Sequence, residues 1–376
     1  MPLSEADFRR PKNAAALVRA IRGLTGPAKP LRIMEICGTH TMAIAQAGLR
    51  GLLAPGVQLL SGPGCPVCVT PAGAIDAVLR LSRQPGVVIA SYGDLLRVPG
   101  TVRGDTLLRR RALGAKIQTV YSPMDALDAA LADPAAEVVF LGVGFETTAP
   151  GTAACILEAA ARGIPNFSVL CLLKQTEPAL RALIEADDFA VDGFLCPGHV
   201  AAILGANAFS FLPDDYRLPG VVSGFEPADL LYSVLMLAQM LAQGRPALQN
   251  EYTRLVQPDG NPAAKSLIEQ VFAPAPSDWR GLGHIPASGY AIRPAYARWD
   301  AAQKFGLRPG PDVEPPGCRC AQVIRGVLHP SACPLFGRAC TPQDPVGPCM
   351  VSGEGACAAW YQYGAKAPGP QANIER

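Results

Sequence analysis

The chain has 376 residues, of which 33 are basic and 31 acidic, for a formal net charge of +2 at pH 7. That balance argues neither for nor against an acidic partner, and no basic stripe points to nucleic acid. The length exceeds one ordinary core, since domains of about 100–200 residues predict two or three here.

The first stretch, MPLSEADFRRPKN, lacks the apolar segment of a signal peptide. LRIMEI (31–36) reads as a buried strand, followed by the helix-like TMAIAQAGLRGLL. VQLLS (57–61) is a second strand, and PAGAIDAVLRLSRQ its helix, with Pro71 allowed at the start. GVVIASYG (86–93) and AKIQTVY (115–121) are the third and fourth. A new series runs through EVVFLGVGF (137–145), FSVLCLLK (167–174), DGFLCPG (192–198) and GVVSGF (220–225), with helices between. The longest apolar run, LLYSVLMLAQMLA (230–242), falls short of the roughly 20 residues that span a bilayer. Leu230, Leu231, Val234, Leu235 and Leu241 keep helical spacing, so a buried helix is expected there, with no membrane contact and a cytoplasmic location.

Strand–helix alternation predicts parallel sheets covered on both faces. The fold class expected is α/β: two similar parallel-sheet domains, 1–130 and 131–250, followed by a smaller cysteine-rich unit, 251–376. Within 251–317, KSLIEQVF is a short helical run. The tail beyond 318 is dominated by Cys, Pro and Gly, which suits a small core held by a metal cluster.

In parallel sheets, ligands sit beyond the carboxyl ends of strands. Four conspicuous loops follow predicted strands: CGTHT (37–41), GPGCPVC (62–68), GFETTAPGT (144–152) and CPGHV (196–200). If the first two strands are neighbours, Cys37, His40, Cys65 and Cys68 converge. Three sulfurs and an imidazole suit zinc, iron or copper. Cys65 and Cys68 flanking Pro66 also suit a redox pair. These readings are not exclusive, because a thiol pair can hold a soft metal in one state and be oxidised in another. Glu146 is either a general base or a loop anchor. His199, at a strand end, is either structural or functional. Thr147 or Thr148 is expected to cap the helix beginning near Pro150, and Glu226 to sit as a helix-start carboxylate before Pro227. G-x-x-x-x-G-K-[ST] is absent, so a nucleotide phosphate cradle is unsupported.

Twelve cysteines occur in the chain. In a reducing compartment, clustered cysteines bind metal or do redox chemistry more often than they form structural disulfides. Cys155, Cys171 and Cys196 sit in apolar surroundings and read as core residues. Cys318, Cys320, Cys333, Cys340, Cys349 and Cys357 crowd the tail. Four thiolates at this spread suit an iron–sulfur cubane or a tetrahedral zinc.

Taken in order, EICGTH, GPGCPVC, GFETTAP, CPGHV, SGFEP, CPLFGRACTP and SGEGACAAWYQY cover nearly the whole chain. Together they resemble the HypD family of hydrogenase maturation proteins. The resemblance implies assembly of the Fe(CN)2CO moiety of [NiFe] hydrogenases, in complex with a HypC-type chaperone and with cyanide received from HypE. The hydrogenase large subunit is served indirectly. It further implies two similar α/β domains and a third that holds a [4Fe–4S] cluster. Cys37, Cys65 and Cys68 match the loop cysteines that carry the iron, with His40 beside the first, while Glu146 and His199 match positions facing the same cleft. Cys333, Cys340 and Cys357 match cluster ligands. Cys318 is favoured as the fourth, with Cys320 its alternative and Cys349 an extra thiol. A thiol–disulfide oxidoreductase with a cluster relay, and a zinc-stabilised binding module, are the rival readings of the same cysteines.

Overall fold

The computed structural model describes residues 11–364. Residues 1–10, which hold most of the stretch MPLSEADFRRPKN, and residues 365–376 lie outside the described residues. All eight strands expected from the sequence form, within two residues of their expected ends: β1 (Leu31–Glu35), β2 (Val57–Ser61), β3 (Val87–Ser91), β4 (Lys116–Thr119), β5 (Glu137–Gly144), β6 (Phe167–Leu173), β7 (Gly193–Pro197) and β8 (Gly220–Ser223). The run at 230–242 lies within the helix Pro227–Gln243, and among the described residues no helix is long and apolar enough to cross a membrane.

The strands form two parallel sheets. The first has the order β2-β1-β7-β8-β9, where β9 is Leu248–Asn250, and the second has the order β4-β3-β5-β6. Period-2 alternation splits each strand between two cores. Ile33, Leu59, Leu195 and Val221 pack on one face of the first sheet, and Met34, Leu60, Phe194 and Val222 on the other. Ile89, Val139 and Leu141 face one side of the second sheet, and Val138, Phe140 and Val169 the opposite side. Burial on both faces is why these strands read as unbroken apolar runs.

The sheets do not divide the chain where the sequence placed the boundary. Residue 130 falls between β4 and β5, which belong to the same sheet, and the first sheet takes β1 and β2 from one end of the chain and β7, β8 and β9 from far beyond. The crossover of a parallel connection is long, so a strand can enter any sheet edge its helix can reach. Apolar periodicity reports that a strand exists, not which strand it joins.

Residues 251–317 are likewise not a separate unit. Ile268 and Val271 of the helix Pro262–Val271, with Phe272, Ile292 and Trp299, share the core of Phe140 and Phe167. An antiparallel hairpin, β10 (Phe272–Trp279) and β11 (Gly283–Ile292), lies in this stretch. Pro274, Pro276 and Pro286 obscure it in the sequence, because proline donates no ladder hydrogen bond. The pairing accommodates them with a register shift between Ala275 and Ser277.

Candidate functional site

β1 and β2 are parallel neighbours with Glu35 opposite Ser61, so the CGTHT and GPGCPVC loops leave the same edge of the sheet side by side. They touch through backbone: Gly38 N–H donates to Gly64 O at 3.1 Å. A Cβ on Gly64 would lie 2.1 Å from Cys37 N, so only glycine permits this approach. β7 is β1's other neighbour, which brings the CPGHV loop to the same place.

Cys37 precedes the helix Gly38–Gln46 and is a free thiol, 1 % exposed. Its Sγ lies 3.6 Å from His199 Nε2. Burial holds His199 at about 4, so its ring is neutral near pH 7, and Nε2 can accept the thiol proton when Nδ1 carries the ring hydrogen. Burial also pushes the Cys37 thiol well above its ordinary value; the charges of Glu35 and Glu354 add to this, and the N–H groups of His40 and Thr39 oppose it.

Cys65 and Cys68 are joined as a disulfide across the short helix Pro66–Val69. Cys65 Sγ accepts from Cys68 N–H at 3.2 Å. His40 does not join this group through its ring. The helix turns its side chain away, and Nε2 meets Gly224 O at 3.0 Å, with the ring packed on Phe225. Burial lowers His40 to about 3. The imidazole beside Cys37 is therefore His199, stacked on the same Phe225 at 5.1 Å. The four-ligand convergence of Cys37, His40, Cys65 and Cys68 does not form, and among the described residues no three His, Cys, Asp or Glu side chains make a single-ion site.

Glu146 accepts from Thr176 N–H and from Thr176 Oγ1, each at 2.7 Å. Both oxygens are thereby used in tying the loop after β5 to the loop after β6. Thr148 stands at the start of the helix Ala149–Ala161, but its hydroxyl donates back to Phe145 O instead of capping. Glu226 does cap the helix Pro227–Gln243, reciprocally with Asp229.

The carboxyl ends of the two sheets face a cleft of about 460 Å³. His199, Gly38 and Gly64 line it from the first sheet, and Tyr92, Tyr121 and Thr148 from the second. Glu354 of the tail also reaches it, accepting from Thr39 Oγ1 at 2.7 Å.

Two buried groups escaped the sequence reading. Glu35, inside EICGTH, lies beneath Cys37 and accepts its N–H at 3.3 Å. It also accepts from Thr41 Oγ1 at 2.5 Å and pairs with Arg50 at 3.7 Å. Burial raises Glu35 to about 7, against the pull of Arg50. A charged residue closing an apolar strand, just before a candidate cysteine, was the available signal. The second is Arg280, 1 % exposed in the β10–β11 turn.

In the tail, Cys318, Cys320, Cys333, Cys340, Cys349 and Cys357 line one pocket. Two of the sulfurs are paired: Cys320 Sγ and Cys349 Sγ are 2.6 Å apart. This pocket shares an apolar cluster with Cys65, Cys68, Phe145 and Trp279. Cys155 and Cys196 are buried in the sheet cores, and Cys171 is half-buried, its thiol donating to Tyr290 O at 3.1 Å.

The family profile HypD: Hydrogenase formation hypA family matches residues 12–364. The chain is 45 % identical to the hydrogenase maturation factor HypD of Rhodobacter capsulatus over 96 % of this chain and 97 % of that one. It is 44 % identical to HypD of Escherichia coli (strain K12), over 95 % and 97 %. With HypD of Cupriavidus necator it shares 43 % over 95 % and 96 %. The chain belongs to the HypD family.

Proposed function

We propose that the chain is a hydrogenase maturation factor, the scaffold and redox partner on which the Fe(CN)2CO unit of [NiFe] hydrogenases is assembled. In this reading it works with a HypC-type chaperone and takes cyanide from HypE. The observation that carries the proposal is the pairing of the free Cys37 thiol with neutral His199, on a loop whose backbone touches the loop of the Cys65–Cys68 disulfide.

The iron is cargo. A low-spin iron with cyanide and carbon monoxide needs strong-field ligands that can later let go, and thiolates suit this. Cys37 loses its proton as it binds the arriving iron, and His199 Nε2, its neighbour at 3.6 Å, relays that proton towards the cleft. The carboxylates of Glu35 and Glu354 disfavour a bare thiolate but favour an arriving cation. Reduction of Cys65–Cys68 frees a second sulfur for the iron; the remaining cysteine supports the return to the disulfide. The bond between Cys65 and Cys68 thus decides how many sulfurs the site offers. His40, turned towards Gly224 O, holds the 223–225 loop on which the His199 ring rests.

The tail pocket fits a resident iron–sulfur cluster by its donor set, six thiols with no oxygen or nitrogen side-chain donor among its lining. Cys318, Cys333, Cys340 and Cys357, the set the resemblance favours, would hold a [4Fe–4S] cluster, with Cys320 lying against Cys349. When bound, such a cluster supplies electrons one at a time. The disulfide also favours a second reading, a cluster-linked thiol–disulfide oxidoreductase that carries no iron cargo.

Infrared spectroscopy of the anaerobic complex with a HypC-type chaperone separates the two. Iron-bound cyanide and carbon monoxide bands are expected with the native chain and absent with Cys37→Ala. Bands that persist in Cys37→Ala overturn the assignment of Cys37. No bands in the native complex, with reversible Cys65–Cys68 chemistry, select the second reading. Individual Cys→Ala changes at 37, 65 and 68 should each abolish maturation, and wild-type maturation in any one removes that residue from the site.

A further inference from the structure

β4 forms an outer edge of the second sheet, and Lys116, Gln118 and Thr119 of its four residues are exposed. The opposite edge, β6, is covered, since Val169 bridges Asp300 and Lys174 bridges Gly289. Val120 N–H donates to Ser91 O at 3.0 Å, so alternation turns the N–H and C=O groups of Ile117 and Thr119 away from β3. Among the described residues no strand pairs with them there.

Two further features gather at this edge. The helix Leu107–Ala112 leads into β4 and touches its start, where Ala115 N–H donates to Arg110 O at 3.0 Å. Arg109, Arg111 and Lys116 are exposed. Their neighbours are matched, Arg110 by Asp105 and Arg103 by Asp344. These three have no such partner among the described residues. Apolar side chains are concentrated here as well. Val102, Leu108, Leu113, Tyr121 and Met124 make five of the eleven large apolar residues exposed among those described. Leu113 is 71 % and Tyr121 91 % exposed. Scattered apolar residues need no explanation, but a cluster beside an unpaired strand marks an interaction surface.

A lysine on an edge strand ordinarily repels other strands. Here that protection is selective. A second copy would set the same three cations against one another, whereas an acidic strand would neutralise them. We propose that the β4 edge is a docking site for an extended, acidic segment of a partner protein, added to the second sheet as a further strand. Backbone pairing at Ile117 and Thr119 holds the segment, and its carboxylates meet Arg109, Arg111 and Lys116. Its apolar side chains cover Leu113 and Tyr121. Because Tyr121 also lines the cleft, the partner sits at the cleft's mouth. The surface does not depend on what Cys37 and the disulfide carry.

The probes are a labelled octapeptide of alternating Glu and Val, a counterpart of alternating Lys and Val, and a single-stranded RNA, each titrated against the full chain by fluorescence anisotropy. The acidic peptide should bind, less well as salt is raised, and at least about tenfold more tightly than the basic one. Hydrogen-exchange mass spectrometry should show it slowing exchange within 115–121. Thr119→Pro deletes one outward N–H while leaving the ladder to β3 whole, and should abolish that protection. The joint change Arg109→Glu, Arg111→Glu and Lys116→Glu touches only exposed side chains, so it tests the edge without disturbing the strand. It should weaken the acidic peptide at least about fivefold and favour the basic one. No binding of the acidic peptide, equal binding of both peptides, undiminished binding after the charge reversal, or protection confined to other segments overturns the proposal. Tighter binding of the RNA would assign the patch to nucleic acid, and concentration-dependent protection of 115–121 without peptide would assign it to a second copy; either outcome also overturns it.

Discussion

Cys37 N–H donates to Glu35 Oε2 at 3.3 Å, so the cysteine at the head of the site stands on a buried carboxyl group. Glu35 in turn meets Arg50, whose Nη2 donates to Ser61 Oγ at 3.0 Å at the end of β2. One ion pair thus ties together the two strand ends from which the cysteine loops emerge. Arg50 also lies over the ring of Trp360, 5.5 Å from its centroid, which joins the tail to the same support.

Removing the Glu35 carboxyl should therefore damage both the fold and the site. Glu35→Ala leaves Arg50 without its counter-charge in a buried position, a change that costs about 3–5 kcal/mol. Glu35→Gln removes the same charge but keeps an acceptor for Cys37 N–H, and should cost about 1–2 kcal/mol less than Glu35→Ala. Urea denaturation monitored by circular dichroism checks the order. Both variants remove the charge, so equal losses would show that the lost charge, and not the acceptor that Gln keeps, decides the effect.

The neutral state of His40 predicts a pH dependence. Its folded value of about 3 lies below the ordinary 6.5, so the stability it contributes is full above 6.5. That contribution falls as pH drops towards 3, because the unfolded chain takes up the proton first. The slope is about 1.4 kcal/mol per pH unit for one proton. Glu35 and Glu251, raised to about 7, work in the opposite sense: their contribution is full below about 4.5 and is lost as pH rises through 7. His40→Asn should thus shrink the fall in unfolding free energy between pH 6.5 and 5 by about 2 kcal/mol relative to the native chain. An unchanged fall would mean that His40 titrates normally in the fold.

Glu146 offers a clean separation of chemistry from support. Both its oxygens are spent on Thr176. Glu146→Gln keeps a carbonyl oxygen to accept from Thr176 N–H and should retain hydrogenase maturation within about threefold. A general base contributes about 10²–10⁴-fold. A loss of that size in Glu146→Gln, with melting temperature unchanged, would restore Glu146 as a chemical participant.

The paired sulfurs of Cys320 and Cys349 predict how the tail responds to substitution. Cys318→Ser should cost the anaerobically purified protein its absorbance near 400 nm and most of its iron. Cys320→Ser and Cys349→Ser should keep both. A colourless native protein containing zinc would instead favour a single-ion site. Loss of colour in Cys320→Ser with retention in Cys318→Ser would exchange the two assignments.

The sequence by itself determined the eight main strands, their helices and the positions of the reactive loops. Strands buried on both faces write themselves as apolar runs, and glycine and proline mark the loops at their carboxyl ends. It could not determine which strands are neighbours, because a parallel crossover is long enough to reach either sheet. That choice placed β7 beside β1 and so brought His199 to Cys37 across 162 residues, while the helix after Cys37 carried the nearer His40 away. The pairing of Cys320 with Cys349 and the carboxyl beneath Cys37 were likewise settled only by tertiary packing. Each depends on where a side chain points once distant segments close over it, and spacing along the chain does not encode that direction.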